Sequence, residues 1–247
     1  MVSTAVLTPS ARDRPVEEAP ALVACSHGTS DPDGRAAVAA LVGAVSARLP
    51  GVKVLPSFVD VQEPDVPTTL AGVAGGPTYV VPLLLSAGYH VHVDLADAVR
   101  AHDGAVVRPA LGPDIRLVRQ LVRRLHQAGL GPDDAVVLGA AGSSDARAVD
   151  DCEATGRMLA ALLGREVRCG YLSATRPCLR DAVSSARESG RRVVVATYLL
   201  APGYFADRAA DCGADVVTAP LLLPGQHPHE DMVELVADRY RLGARWA

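Results

Sequence analysis

An apolar run that ends in a turn of small residues occurs twice in the chain, as ALVACSHGTSD at residues 21–31 and as AVVLGAAGSSD at residues 135–145. Two further pairs of segments follow in the same order with nearly the same offset. They are FVDVQEP at 58–64 with YLSATRP at 171–177, and VPLLLSAGYH at 81–90 with ATYLLAPGYF at 196–205. Self-similarity at a constant offset indicates that the chain is an internal duplication.

Within each copy, short apolar runs rich in β-branched residues alternate with amphipathic stretches. The predicted strands are residues 21–25, 52–59, 79–84 and 105–107, then 136–139, 167–171, 193–200 and 216–217. The first helix carries its apolar face on Val38, Leu41, Val42, Val45 and Leu49, and the fourth on Ile115, Val118, Leu121, Val122 and Leu125. This alternation predicts an α/β fold of two similar lobes, each a small parallel sheet flanked by helices. A pseudo-two-fold axis would relate the lobes across a central cleft.

The predicted division of the chain follows from the repeat. Residues 1–20 lack hydrophobic periodicity and are predicted to be a disordered tail. Residues 21–130 form the N-terminal lobe and residues 131–247 the C-terminal lobe, a degenerate copy. The boundary lies in the turn at residues 129–132.

Two histidines follow predicted strands of the first lobe. His27 comes directly after the first strand and His90 after the third. In a doubly wound sheet these strand ends flank the topological switch point, where ligands bind. The copy has Ala141 and Phe205 at the matching positions, so it keeps the turns and loses both imidazoles. Glu63 follows the second strand and is a third metal ligand, a group that supports the ligands, or a surface carboxylate.

Composition excludes several classes of protein. The net charge is −4 with no basic run, which argues against a nucleic-acid partner. Five cysteines without a Cys-x-x-Cys pair favour a reducing compartment. We see neither a signal peptide nor an apolar run of the roughly 18 residues that a bilayer span needs. The sequence predicts a cytoplasmic protein with no membrane partner.

The motifs SHGTSDPDG, FVDVQEP and PLLLSAGYHVHVDL resemble the signatures of the sirohydrochlorin ferrochelatase and cobaltochelatase family, the class II tetrapyrrole chelatases. The resemblance covers roughly residues 21–240. Within the family, the chain resembles the two-lobed form with active histidines in the N-terminal half. It implies a lyase that uses no organic cofactor and takes a divalent metal ion as substrate. It also implies that His27 and His90 bind the metal and accept the pyrrole protons.

The resemblance further implies a cleft that receives the carboxylates of a tetrapyrrole. The predicted substrate-binding residues are Gly28, Thr29, Ser30, Gly88, Tyr89, Ser143 and Ser144. Their turns would offer backbone N–H groups to anions. Arg35, Arg147, Arg176 and Arg208 are either carboxylate partners or solvated charges. His227 and His229 are favoured as part of a helix start rather than a metal cluster.

Sirohydrochlorin and Fe²⁺ are the favoured substrates, giving sirohaem. A cobaltochelatase of cobalamin synthesis that uses Co²⁺, and a non-enzymatic metal carrier, remain alternatives. Two imidazoles without a thiolate suit both ions. A histidine phosphatase would need arginine before His27, where Ser26 stands, and a dinucleotide-binding protein would need Gly-x-Gly-x-x-Gly. The chain is expected to be a monomer or a homodimer.

Overall fold

The computed structural model describes residues 19–73, 76–88 and 90–242, with the side chains of residues 90–92 outside that description. Nearly all of the predicted tail, residues 1–20, therefore lies outside the described residues. All eight predicted strands are present, with ends that differ from the prediction by no more than two residues. They are β1 Ala21–Ser26, β2 Val54–Phe58, β3 Thr78–Pro82, β4 Ala105–Val107, β5 Ala135–Ala140, β6 Val167–Tyr171, β7 Val193–Tyr198 and β8 Val216–Val217.

The strands form two parallel sheets of the same order, β2-β1-β3-β4 and β6-β5-β7-β8. Helices connect the strands, as parallel pairing requires. They are α1 Pro32–Arg48, α2 Val66–Ala71, α3 Ala96–Arg100, α4 Ile115–Gln127, α5 Ala146–Leu163, α6 Leu179–Arg187, α7 Tyr204–Ala210 and α8 Glu230–Arg241. One turn of π-helix, His90–Leu95, leads into α3. The two-lobed α/β fold is confirmed.

The topological switch point lies where the sequence predicted it. The chain leaves β1 to form β2 on one side and returns to form β3 on the other. Cys25 of β1 pairs with Ser57 of β2 and with Pro82 of β3. The segments that follow β1 and β3 therefore emerge side by side from one edge of the sheet.

The last helix of each half crosses to the other half. Helix α8 packs on β3 of the first sheet, where the Tyr240 ring lies 5.6 Å from the Tyr79 ring. Helix α4 packs on β7 of the second sheet, and Gln120 donates from Nε2 to the carbonyl of Leu221 at 2.9 Å. The buried face of α4 includes Leu117 in place of the predicted Ile115, which is exposed.

One hydrophobic core runs through both halves as a result of this exchange. It joins Leu41 and Leu121 of the first half to Leu138 and Leu235 of the second. The division of the chain into two lobes at residue 130 stays a prediction. Helix α4 packs on the second sheet and helix α8 on the first, so the packing crosses this boundary in both directions. Among the described residues, no helix is both long and apolar enough to cross a bilayer.

Candidate active site

The carboxyl ends of both sheets open onto one cavity of about 720 Å³. The segments after β1 and β3 line it from the first half, and those after β5 and β7 from the second. Residues of α1, α5, β6 and the turn after β2 complete the lining. The predicted contact residues Gly28, Thr29, Ser30, Gly88, Ser143 and Ser144 all line it. Tyr89 lies outside the described residues. A cleft between two similar lobes is thus present at the switch-point edge of each sheet.

His27 lines this cavity and is exposed. Its carbonyl accepts a hydrogen bond from the amide of Asp60 at 2.9 Å, which fixes the turn at the end of β1. Gly28 follows with φ of +94°, and a Cβ there would collide with the Asp60 carbonyl. The turn therefore requires glycine next to the histidine.

The second half repeats this turn without the imidazole. The carbonyl of Ala141 accepts from the amide of Ser173 at 2.9 Å, and Gly142 has φ of +90°. Phe205, the counterpart of His90, also lines the cavity. The turn after β5 therefore presents a methyl group at the position where the turn after β1 presents the imidazole of His27.

His90 begins the π-helical turn two residues after Gly88. Single π-turns occur often at functional sites. Leu83, the first residue after β3, donates to the Cys25 carbonyl at 2.7 Å, so the chain leaves β3 beside the end of β1. The backbone of His90 belongs to this segment. The side chain lies outside the described residues, so a metal site shared with His27 stays a prediction.

Glu63 does not line the cavity. Its Oε2 accepts a hydrogen bond from the amide of Asp65 at 3.0 Å, on the exposed side of the turn. The neighbouring Gln62 lines the cavity instead, and its Oε1 accepts from the amide of Thr29 at 2.9 Å. The amide of Thr29, which was predicted to bind a substrate carboxylate, thus already donates to Gln62. Among the described side chains, no three His, Cys, Asp or Glu residues form a metal-binding group.

Apart from His27, Gln62 and Cys152, the side chains that line the cavity are apolar or hydroxylic. None of the four candidate arginines belongs to this lining. Arg35 donates to the Thr29 carbonyl, Arg147 pairs with Asp145, Arg176 with Asp181, and Arg208 lies over the Tyr204 ring. These contacts fit the prediction that the four arginines are solvated charges better than the prediction that they bind the carboxylates of the substrate. His229 caps α8, because its Nδ1 accepts from the amide of Asp231 at 3.1 Å.

Two buried groups in the cavity escaped the sequence analysis. Tyr171 is 1% exposed, and its hydroxyl has no hydrogen-bond partner among the described residues. Cys152 lies beside it, and burial, reinforced by Cys169 and Asp151, raises the pKa of its thiol to about 12. The thiol therefore stays protonated at neutral pH. Tyr171 opens the YLSATRP segment, but the repeat alone did not indicate that its hydroxyl lies at the cavity.

The second half holds the segment that leads to His90. Asp151 on α5 accepts from the amide of Ala87 at 2.8 Å, and Tyr198 on β7 donates to the carbonyl of Leu85 at 2.8 Å. The reverse contact is impossible, because the counterpart of Ala87 is Pro202, which has no N–H. Only the histidine-bearing segment is supported in this way from the opposite half.

Comparison with known proteins identifies the family of the chain. The CbiX family model matches residues 21–128 and, a second time, residues 135–242. The chain belongs to the CbiX family. The two matches begin at the first residues of β1 and β5, so each half of this CbiX-family chain corresponds to one copy of the family unit.

Solved structures share the fold. SirB from Bacillus subtilis with Fe³⁺ is 21% identical, with a TM-score of 0.73 over 90% of this chain and 94% of that one. SirB from Bacillus subtilis subspecies spizizenii in complex with cobalt is 19% identical, with a TM-score of 0.70 and the same coverage. CbiX, described as the terminal enzyme for biosynthesis of siroheme in denitrifying bacteria, is 17% identical, with a TM-score of 0.67 over 90% and 99%. No curated protein sequence matches the chain.

Proposed function

We propose that this chain is a sirohydrochlorin chelatase that inserts a divalent metal ion into the tetrapyrrole within the cleft. The observation that carries the proposal is a difference in side chains between two turns of the same backbone shape. Two equivalent turns face one cavity, and only the first carries an imidazole, His27. Family membership and the fold shared with metal-bound SirB structures support the same activity.

The chemistry of imidazole fits this reaction. A tetrapyrrole loses two N–H protons when it takes up a divalent ion. Neutral imidazole binds borderline metal ions through nitrogen and has a pKa near neutrality, so it can release a metal ion and accept a proton. His27 is proposed as one such group and His90 as the other. The apolar lining, including Leu83 and Phe205, would contact the face of the macrocycle.

Fe²⁺ is the proposed physiological substrate, with Co²⁺ as the alternative ion. Intrinsic affinity for nitrogen ligands rises from Fe²⁺ to Co²⁺ to Ni²⁺, so two imidazoles alone do not select iron. Cys152 adds no thiolate at neutral pH, since burial raises the pKa of its thiol. Selection therefore depends on metal supply and on the rate of transfer. Operation without an organic cofactor, a cytoplasmic setting and a monomeric or homodimeric state stay predictions.

An anaerobic absorbance assay tests the proposed function. The protein is mixed with metal-free sirohydrochlorin and either Fe²⁺ or Co²⁺, and conversion of the spectrum is followed against a protein-free reaction. We expect faster conversion with both ions. A protein that binds the metal ions without accelerating conversion would instead be a metal carrier, and the proposal would be wrong.

The contact between Asp151 and Ala87 gives a prediction about positioning. Asp151→Ala removes the acceptor that holds the segment before His90. A hydrogen bond to a charged group contributes about 1.5–3 kcal/mol, so we expect kcat or the apparent affinity for metal to fall by about 10- to 150-fold. Steady-state kinetics with metal as the varied substrate measures both.

Two variants on the same helix separate positioning from general damage. Asp151→Asn keeps a carbonyl oxygen as acceptor and should recover most of the activity. Asp150→Ala removes an exposed carboxylate one residue away and should leave the rate unchanged. Equal rates for Asp151→Ala and Asp150→Ala would contradict the positioning role.

A further inference from the structure

A second cavity, of about 130 Å³, lies between α1, α4 and the connection from β8 to α8. Arg123 and Arg124 of α4 line it together with His227 and His229. No residue is shared between its lining and that of the cleft. The connection is also longer than its counterpart. Seven residues, 222–228, separate Leu221 from His229, whereas only residues 112 and 113 separate Leu111 from Asp114.

The first half shows how the matching position is built around a carboxylate. Arg239 of α8 donates from Nε to the carbonyl of Ala110 and from Nη2 to that of Leu111, both at 2.8 Å. The same Nη2 lies 3.4 Å from Oδ2 of Asp114, the residue that caps α4. The charge of this guanidinium therefore meets a carboxylate.

Arg124 of α4 is the pseudo-two-fold counterpart of Arg239. It donates from Nε to the carbonyl of Pro220 at 2.8 Å and from Nη2 to that of Leu221 at 2.9 Å, which repeats the first pattern atom for atom. The offset is 239 − 124 = 115 residues, and the same offset, 229 − 114 = 115, relates Asp114 to His229. An imidazole thus takes the place of the carboxylate.

The charge of Arg124 is left without a carboxylate in the described part of the chain. The residue is 7% exposed, and no described ion pair includes it. Its remaining side-chain hydrogen bond, from Nη1 to Oε1 of Gln127 at 2.9 Å, also ends on a neutral acceptor. Burial, and then the adjacent Arg123, lower its pKa. Arg123 itself pairs with Asp231 at 2.9 Å, so that carboxylate is already engaged. A buried charge without a counter-charge destabilises a fold.

We propose that this cavity binds a small oxyanion that supplies the missing counter-charge to Arg124. The ligand class is inorganic phosphate or sulfate, or a small carboxylate. Nδ1 of His229 accepts a hydrogen bond from the amide of Asp231. The neutral imidazole of His229 therefore carries its proton on Nε2, which can donate a hydrogen bond to the anion. The longer connection at residues 222–228 forms part of the wall of this cavity, through Leu222, Leu223, Gln226, His227 and Pro228.

The bound anion would stabilise the contact between the two halves. Arg124 belongs to the first half, and the carbonyls that it contacts belong to the second. Leu221 and Leu222 then donate to the carbonyls of Leu199 and Leu200, which line the cleft. The site therefore joins α4 to one wall of the cleft, independently of metal or tetrapyrrole.

Thermal unfolding of the metal-free protein tests the site. The Tm is measured in sodium phosphate, sodium sulfate or sodium acetate against sodium chloride of equal ionic strength. For a ligand at about 100 times its Kd we expect the Tm to rise by about 5 °C. A rise in phosphate and sulfate alone identifies a tetrahedral anion, and an equal rise in acetate identifies a carboxylate site.

Two variants of His229 differ only in charge and isolate the specific effect. Both aspartate and asparagine cap helices well, so α8 should persist in each. His229→Asp places a carboxylate where Asp114 stands in the other half, so its Tm in chloride should rise and its response to phosphate should vanish. His229→Asn should keep the response. General stabilisation by excluded salts affects all three proteins alike. Equal responses in wild type and His229→Asp, or loss of the response in His229→Asn, would overturn the proposal.

Discussion

Replacing His27 with alanine is expected to lower the rate of metal insertion by about 10²–10⁴-fold, the usual contribution of general acid–base catalysis. Loss of a metal ligand adds to this fall. The side chain is exposed at the mouth of the cavity, so its removal leaves no void in the core and the Tm should change little. The measurement is the initial rate of the anaerobic absorbance assay together with thermal unfolding. His90→Ala is expected to give a fall of the same size.

His126→Ala is the control for this experiment. His126 is exposed on α4 and does not line the cleft. Its replacement removes an imidazole from the protein without touching the candidate site, so the rate should match that of the wild type. If His27→Ala and His90→Ala both retain near-normal turnover, neither histidine carries the reaction and the site assignment is wrong.

The sequence predicted the sheets well because their signals are local. Continuous apolar runs such as the one at β1 have no polar face, which is typical of strands covered on both sides. The alternation with helices indicated a doubly wound sheet, and in such a sheet the ends of the first and third strands flank the switch point, as they do in the structure. The position of His27 at the cleft needed no more than this reasoning.

The exchange of α4 and α8 could not be predicted in the same way. An amphipathic pattern shows that a helix buries one face, but it does not show which sheet covers that face. Both helices carry apolar faces and follow equivalent strands, so either packing satisfies the pattern. The arginines that hold them, Arg124 and Arg239, contact main-chain carbonyls, so their repeat in the sequence does not show which half they bind.

The turn after β2 explains why the sequence analysis named Glu63 and missed Gln62. The alternation of side chains along a strand holds only while the backbone stays extended. Val61 has φ of +66°, so the direction of the side chains that follow cannot be extrapolated from the strand. Gln62 consequently reaches the amide of Thr29, and Glu63 binds its own turn.

The N-terminal half expressed alone, as residues 1–130, is expected not to fold as a monomer. It lacks α8, whose Met232, Leu235 and Val236 are fully buried. Each such side chain contributes about 1.5–3 kcal/mol on burial, so their loss removes much of the roughly 5–15 kcal/mol that stabilises a typical domain. In the same fragment, α4 loses the sheet on which it packs. Circular dichroism, thermal unfolding and size-exclusion chromatography would show whether a cooperative transition remains.

Co-expression of residues 131–247 separates the exchange of helices from simple instability of a fragment. Because each half supplies the helix that covers the other sheet, the two fragments should recover a folded 1:1 complex with a cooperative transition. The break in the chain would lie beside Gly129, which is exposed and has open space where a side chain would begin. A fragment 1–130 that folds only as a homodimer would also agree with the exchange, since α4 could then pack on a partner's sheet. A folded monomer of residues 1–130 with full chelatase activity would show that α4 can cover its own sheet and that the second half is dispensable.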